Sequence, residues 1–192
     1  IGLMGGIFDP VHNGHLAIAE SFLSSEQINE LWILLTPNPP HKSEQQFTAF
    51  DVRLNMLQAC FADFENVEIS SIEKQLPPPQ YTYKTIQHLE KNHPAHSFLY
   101  CIGEDGYVNF HKWKNYKLIL DSCSLIVAAR PGYDKSKQHY EVVRQAATFV
   151  NHTPVDISST EIRKLVKEGE DISLYLPNEA SKIIEDENLY KS

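Results

Sequence analysis

The chain of 192 residues is 42% hydrophobic and 22% charged, a globular composition at a length that can bury a sizeable core as one domain. Its 17 basic and 25 acidic residues sum to −8, which excludes a general basic field for a nucleic-acid backbone or an anionic membrane surface. Any phosphate has to be bound locally. No apolar run reaches the roughly 20 residues needed to cross a bilayer, and no secretory leader pattern opens the chain, so a cytoplasmic protein is expected. Ile1 already lies in an apolar stretch, so a few residues are expected upstream of it.

Short β-rich apolar runs alternate with longer helix-like segments, which predicts an α/β, Rossmann-like, doubly wound and mostly parallel sheet. Helices are expected on both faces, with a small helical segment at the C-terminal end. Strands are predicted from the start through Met4 and at 31–36, 67–69, 97–102, 124–129 and 153–156. Helices are predicted at 14–24, 50–61, 83–92, 114–120, 137–147, 159–168 and 179–186. Two proline-rich loops, Thr36–Pro40 and Leu76–Pro79, follow strands, where open α/β sheets gather ligands. Cys60, Cys101 and Cys123 are odd in number, lack CxxC spacing and sit in apolar runs, so buried thiols are expected rather than disulfides or a zinc knuckle.

The first strand-to-helix turn is the informative segment, Gly5-Gly6-Ile7-Phe8-Asp9-Pro10-Val11-His12-Asn13-Gly14-His15. Glycines there let the backbone approach a ligand closely, and Gly14 at the helix start leaves room beside the chain. His12 and His15 are three apart, which puts both imidazoles on one side of the first helical turn, near the positive end of the helix dipole. Such a turn can cradle phosphate. Downstream, Lys42 in Pro39-Pro40-His41-Lys42 offers a mobile ammonium for a terminal phosphate. Thr82 in Gln80-Tyr81-Thr82-Tyr83 reads as the N-cap of a helix whose free N–H groups around Thr82 and Tyr83 suit a carboxylate. Gly103-Glu104-Asp105 follows the fourth strand, and Asp105 suits ribose hydroxyls or a magnesium ion while Trp113 presents a broad π-surface for a pyridine ring. Phe110 reads as core. Ile157-Ser158-Ser159-Thr160-Glu161-Ile162-Arg163 pairs a serine cap with a guanidinium fork suited to polyphosphate.

The pattern GGxFDPxHxGH in this position resembles the nucleotidyltransferases of the HIGH superfamily, and within it the bacterial nicotinate-nucleotide adenylyltransferase family. The further segments are similar to that family's PPHK loop, its SYT segment with Gln80 in place of serine, its GxDxxxxFxxW pattern and its ISSTxIR signature. Arg130-Pro131-Gly132-Tyr133 matches as well, while Gly106 and Tyr107 depart from the usual residues. The motifs run in order from residue 5 to 163, so the resemblance covers nearly the whole chain and implies a single nucleotidyltransferase domain over 1–192.

What the resemblance implies is a site in two halves. Gly5, Gly6, Phe8, His12 and His15 from the first turn, Gly103 and Asp105 from the fourth strand's end, and Ile157, Ser158, Ser159 and Arg163 would bind ATP. His15, His12 and Arg163 would be catalytic. Asp9, Lys42, Thr82, Tyr83 and Trp113 would bind nicotinate mononucleotide, with Mg2+ arriving on ATP and no protein metal site. The products would be deamido-NAD and pyrophosphate. Nucleic acid and membrane are not expected partners, and the sequence allows a homo-oligomer. An adenylyltransferase acting on phosphopantetheine or nicotinamide mononucleotide is the nearest alternative, although PPHK, the Phe110/Trp113 pair and RPGY weigh against the former. A noncatalytic nucleotide-binding regulator would be expected to have lost His15 or Arg163, and an HxxH metallohydrolase lacks a third ligand or a glutamate on the same helix.

Overall fold

A computed structural model of the chain describes residues 1–38 and 46–191. Its centre is a six-stranded parallel sheet, ordered β3-β2-β1-β4-β5-β6. The strands are β1 (Gly2–Gly6), β2 (Leu31–Leu35), β3 (Val67–Ser70), β4 (Leu99–Gly103), β5 (Ser124–Ala129) and β6 (Ala147–Asn151). The helices are α1 (Asn13–Leu23), α2 (Phe50–Cys60), α3 (Ile72–Gln75), α4 (Thr82–Asn92), α5 (Glu104–Asn109), α6 (Tyr116–Ser122), α7 (Glu141–Gln145), α8 (Ser159–Glu168) and α9 (Asn178–Asp186).

Strand periodicity sorts the core onto two faces. In β2 every residue is buried, as a parallel strand covered on both sides requires. Leu31, Ile33 and Leu35 enter the cluster with Phe22 of α1, Met56 of α2, Ile162 of α8 and Ile184 of α9, whereas Trp32 and Leu34 enter the one with Ile86 of α4, Ile119 of α6 and Val143 of α7. β5 divides in the same way, with Ile126 and Ala128 on the first face and Leu125 and Val127 on the second. Cys60, Cys101 and Cys123 are buried free thiols, and desolvation pushes each up to about 12.

Three sequence expectations need correction. The sixth strand is not 153–156, where Pro154 lacks the N–H a ladder needs. It is Ala147–Asn151, which pairs with Leu125–Ala129; the expected helix over 137–147 overlaps it only at Ala147, and 148–151 were given no element. That helix shortens to α7. Two short helices, α3 and α5, are too brief to show a helical period and were not predicted.

One polar side chain sits deep in this frame. Arg53 of α2 is 1% exposed; its Nε donates to Thr48 O at 2.8 Å, Nη1 to Ile7 O at 2.6 Å and Thr36 O at 3.0 Å, and Nη2 to Pro37 O at 3.0 Å. The loops after β1 and β2 are thereby fastened to α2. Arg53→Met would leave those carbonyls unpartnered, so a loss of about 3–5 kcal/mol is expected, read as a lowered urea midpoint with an unchanged slope. A midpoint close to that of the unaltered protein would remove Arg53 from this role.

Candidate active site

The sheet's order reverses between β1 and β4, the position at which a doubly wound sheet opens a crevice. The two strands pair only through Gly2–Leu99 and Leu3–Tyr100 and then part. Tyr100 fills the gap they leave: a Cβ on Gly5 would stand 2.7 Å from its Oη, so the glycine is needed for the ring to lie there. Gly6 is equally constrained, since its Cβ would meet the Phe8 ring at 2.7 Å. Phe8 is buried in a left-handed conformation, φ 50, a strained setting for a bulky residue that turns the chain sharply towards α1.

His12 is the N-cap of α1, and its N–H donates to His15 Nδ1 at 3.2 Å. With Nδ1 accepting, a neutral His15 carries its proton on Nε2, which is a free donor for an anion. The two rings lie 3.7 Å apart, centroid to centroid, and the Phe8 ring meets His15 edge-on at 4.9 Å. A Cβ on Gly14 would come within 3.0 Å of the His12 ring, so the room the glycine leaves is taken by the imidazole rather than kept open. Burial lowers His12 to about 4, and burial together with the neighbouring His12 holds His15 well below the usual imidazole range. His12 Nδ1 is buried with no hydrogen-bond partner among the described residues.

The start of α8 is docked onto the same turn. Ser158 caps the helix by accepting from Glu161 N–H at 3.1 Å, Ser159 Oγ donates to Pro10 O at 2.9 Å, and Arg163 Nη1 donates to Asp9 O at 2.6 Å. Segments more than 140 positions apart in sequence thus meet at one turn. Ile157 packs against the core just before this helix. The Asp9 carboxylate is 3% exposed and engaged within the protein, Oδ2 by Thr48 N–H at 3.3 Å and Oδ1 by Tyr190 Oη at 2.6 Å. One expected donor is used: Asn13 N–H, the first of α1, bonds to Tyr175 O at 2.9 Å.

Beside the turn lies a cavity of about 740 Å³ that brings together Gly5, Gly6, Thr82 and Trp113 of the predicted residues. Trp113 is held upright by Tyr100, 5.6 Å away at 86°, and by Phe110 at 5.1 Å, itself core as expected. The helix at the other wall begins one residue earlier than expected. Tyr81 is the extended N-cap and Thr82 the first helical residue, so the N–H groups of Thr82 and Tyr83 sit where a helix has no internal acceptor for them. The Tyr83 side chain packs into the core, and Tyr81 lines the cavity instead. Gly103 caps α5 and Asp105 is exposed on that helix's first turn. Lys42 lies outside the described residues.

Several lining residues went unread in the sequence. Lys112 and Lys114 flank Trp113, and their alternation with the aromatic residue was the available signal. Glu73 of α3 gave none. It is 5% exposed, its Oε1 accepts from Thr85 Oγ1 at 2.9 Å, its Oε2 has no partner among the described residues, and burial pushes its pKa up. Glu104 accepts from Arg130 N–H at the start of the RPGY turn, where Gly132 at φ 80 follows Pro131 as a type II turn requires. Among the described residues no three His, Cys, Asp or Glu side chains cluster as metal ligands, and no helix is long and apolar enough to cross a membrane.

A family model described as cytidylyltransferase-like matches residues 3–165. A probable nicotinate-nucleotide adenylyltransferase of Clostridium tetani (strain Massachusetts / E88) is 35% identical, with 98% of each chain covered, and one of Christiangramia forsetii (strain DSM 17595 / CGMCC 1.15422 / KT0803) is 35% identical over 100% of this chain and 98% of its own. The chain belongs to the nicotinate-nucleotide adenylyltransferase family. Its fold agrees with a structure of Plasmodium falciparum nicotinic acid mononucleotide adenylyltransferase complexed with NaAD, TM-score 0.81 at 19% identity, covering 98% of this chain and 96% of that one. Membership makes this an enzyme of nucleotidyl transfer.

The histidine shifts carry a pH consequence whose sign is fixed. A histidine whose pKa is lowered by folding contributes stability above its unfolded value, near 6.5, and that contribution fades as pH falls towards the folded value, about 4 for His12. The displacement corresponds to on the order of 3 kcal/mol. Urea midpoints are therefore expected to drop between about pH 6.5 and 4, with a shallower decline in His12→Asn. Parallel curves for the two proteins would show that His12 is not the group responsible.

Proposed function

We propose that the chain transfers the adenylyl group of ATP to nicotinate mononucleotide, forming deamido-NAD and releasing pyrophosphate by direct in-line displacement. The observation that carries this is the meeting, at the β1/β4 crevice, of a two-histidine helix start, the Ser159/Arg163 end of α8 and a cavity walled by Trp113 and the start of α4. Full-length relatives named for this reaction support it.

The acceptor needs no base, because a phosphate monoester with a second pKa of about 6 is already an anionic nucleophile near neutral pH. The protein's work is alignment and charge stabilisation. ATP phosphates lie at the α1 turn, where His15 Nε2–H donates to an oxygen and Arg163 and Ser159 turn from the Asp9 and Pro10 carbonyls to phosphate. Anionic oxygens next to the imidazoles raise pKa values that burial had lowered, so charge growing on phosphorus and leaving group is met by donors of increasing cationic character. Magnesium would enter with the nucleotide substrate and would neutralise phosphate charge. The mononucleotide occupies the cavity with its ring on Trp113 and its carboxylate on the Thr82 and Tyr83 N–H groups, and Lys42 meets its phosphate. Asp105 faces ribose hydroxyls from the first turn of α5.

Incubation with Mg-ATP and a panel of phosphate acceptors, followed by pyrophosphate release, tests the reading. A carboxamide forfeits a charge-assisted hydrogen bond and turns its own N–H groups on the helix donors, so kcat/KM is expected to favour nicotinate over nicotinamide mononucleotide by roughly tens- to thousands-fold. Trp113→Ala is expected to weaken both acceptors and leave their ratio nearly intact, since both rings stack alike. Equal use of the two by the unaltered protein, or turnover only with phosphopantetheine, would overturn the assignment.

A further inference from the structure

The residues after α9 return to the loop that follows β1. Tyr190 Oη donates to Asp9 Oδ1 at 2.6 Å across 181 positions of sequence. Asn188 at φ 50 and Tyr190 at φ 62 both take left-handed conformations, and this turn lets Leu189 and Tyr190 pack on the core formed with α1 and α2. α9 itself packs on α2, the helix that carries Arg53. Burial and the bond to Asp9 push the Tyr190 hydroxyl pKa up, so it stays a proton donor across the neutral range.

The irregular loop between β1 and α1 is secured at four points. Arg53 holds Ile7 O, Tyr190 and Thr48 hold the Asp9 carboxylate, Arg163 holds Asp9 O, and Ser159 holds Pro10 O. Two of these donors, Arg163 and Ser159, are the groups assigned above to ATP. A guanidinium or hydroxyl that turns to phosphate leaves its carbonyl behind, and the loop is then held only at Ile7 and at Asp9, at the moment when His12 and His15 must be aimed.

We propose that Tyr190 is a positioning residue for the transfer reaction: it fixes the Asp9 carboxylate, and with it the histidine turn, while Arg163 and Ser159 are engaged on ATP. The proposal rests on the ATP assignment of the preceding subsection. It gives the C-terminal segment a part in the site although that segment contributes nothing to the cavity.

Tyr190→Phe keeps the ring and removes only the hydroxyl. In the nucleotide-free protein Arg163 and Ser159 still hold the loop, so the lost bond to the buried carboxylate is expected to lower the melting temperature by only about a few degrees. The rise in melting temperature produced by Mg-ATP is expected to shrink, and kcat/KM for ATP to fall by roughly tenfold to a hundredfold, as a lost hydrogen bond to a buried carboxylate implies. Asp9→Ala, which removes the acceptor, is expected to lose the same Mg-ATP shift, and adding Tyr190→Phe to it to change little more, because both variants break one interaction. Equal melting losses with and without Mg-ATP would overturn the proposal by reducing Tyr190 to packing, and so would independent effects of the two substitutions. Should the unaltered protein bind Mg-ATP but not use nicotinate mononucleotide, the acceptor assignment fails while the Mg-ATP shifts still decide the role of Tyr190.

Discussion

The architecture turns on a backbone problem. Between the last residue of β1 and the first of α1 the chain runs through mostly buried, irregular conformation, and the carbonyls of Ile7, Asp9 and Pro10 belong to no ladder or helix. Ile7, Asp9 and Pro10 each find a side-chain donor instead, from Arg53, Arg163 and Ser159. An unpartnered carbonyl there would forfeit about 1–3 kcal/mol, so the docking of α2 and α8 is tied to the shape of this loop. The glycines before it follow from the same constraint, because Gly5 and Gly6 admit Tyr100 and Phe8, and Phe8 in turn sets the entry into α1.

The solution is chemically suggestive. Donors that satisfy carbonyl oxygens are the donors that satisfy phosphate oxygens, and two of the three are well placed to exchange one for the other. On the assignment to ATP proposed above, the free protein holds Arg163 and Ser159 on backbone acceptors, and binding would exchange partners rather than order mobile side chains, which lowers the entropy lost on association.

Much of this was legible in the sequence, and the remainder shares a physical cause. Five strands and the two-sided core follow from periodicity, which encodes local geometry, while the meeting of the first turn with the Ser159–Arg163 segment was implied by the family resemblance of the two motifs. β6 was displaced because the strand was placed on 153–156, where Pro154 cannot donate to a ladder, while Ala147–Asn151 is short and lies directly after a helix-like segment. Thr82 was read as a cap from its residue type, whereas Tyr81 occupies that position with an extended backbone and no side-chain cap. Arg53, Glu73 and Tyr190 were missed for a different reason. Each acts through a contact 12 or more positions away, Arg53 on Ile7, Glu73 on Thr85 and Tyr190 on Asp9, and a single buried polar residue in an amphipathic segment carries no periodic signature of its partner.

A chain of net charge −8 that handles polyanions has to do so without long-range attraction, and the site is built accordingly. In the arrangement proposed above, the groups offered to an anion at the α1 turn are an imidazole N–H together with the Arg163 guanidinium, and burial lowers the pKa of both histidines in the free protein. Donors whose charge grows only as negative charge builds beside them bind the ground state less and the transition state more, which is the differential that accelerates a displacement at phosphorus. The burial that depresses the histidines, supplied by Phe8 at an edge and by the two rings packed on each other, is therefore part of the chemistry as well as of the packing.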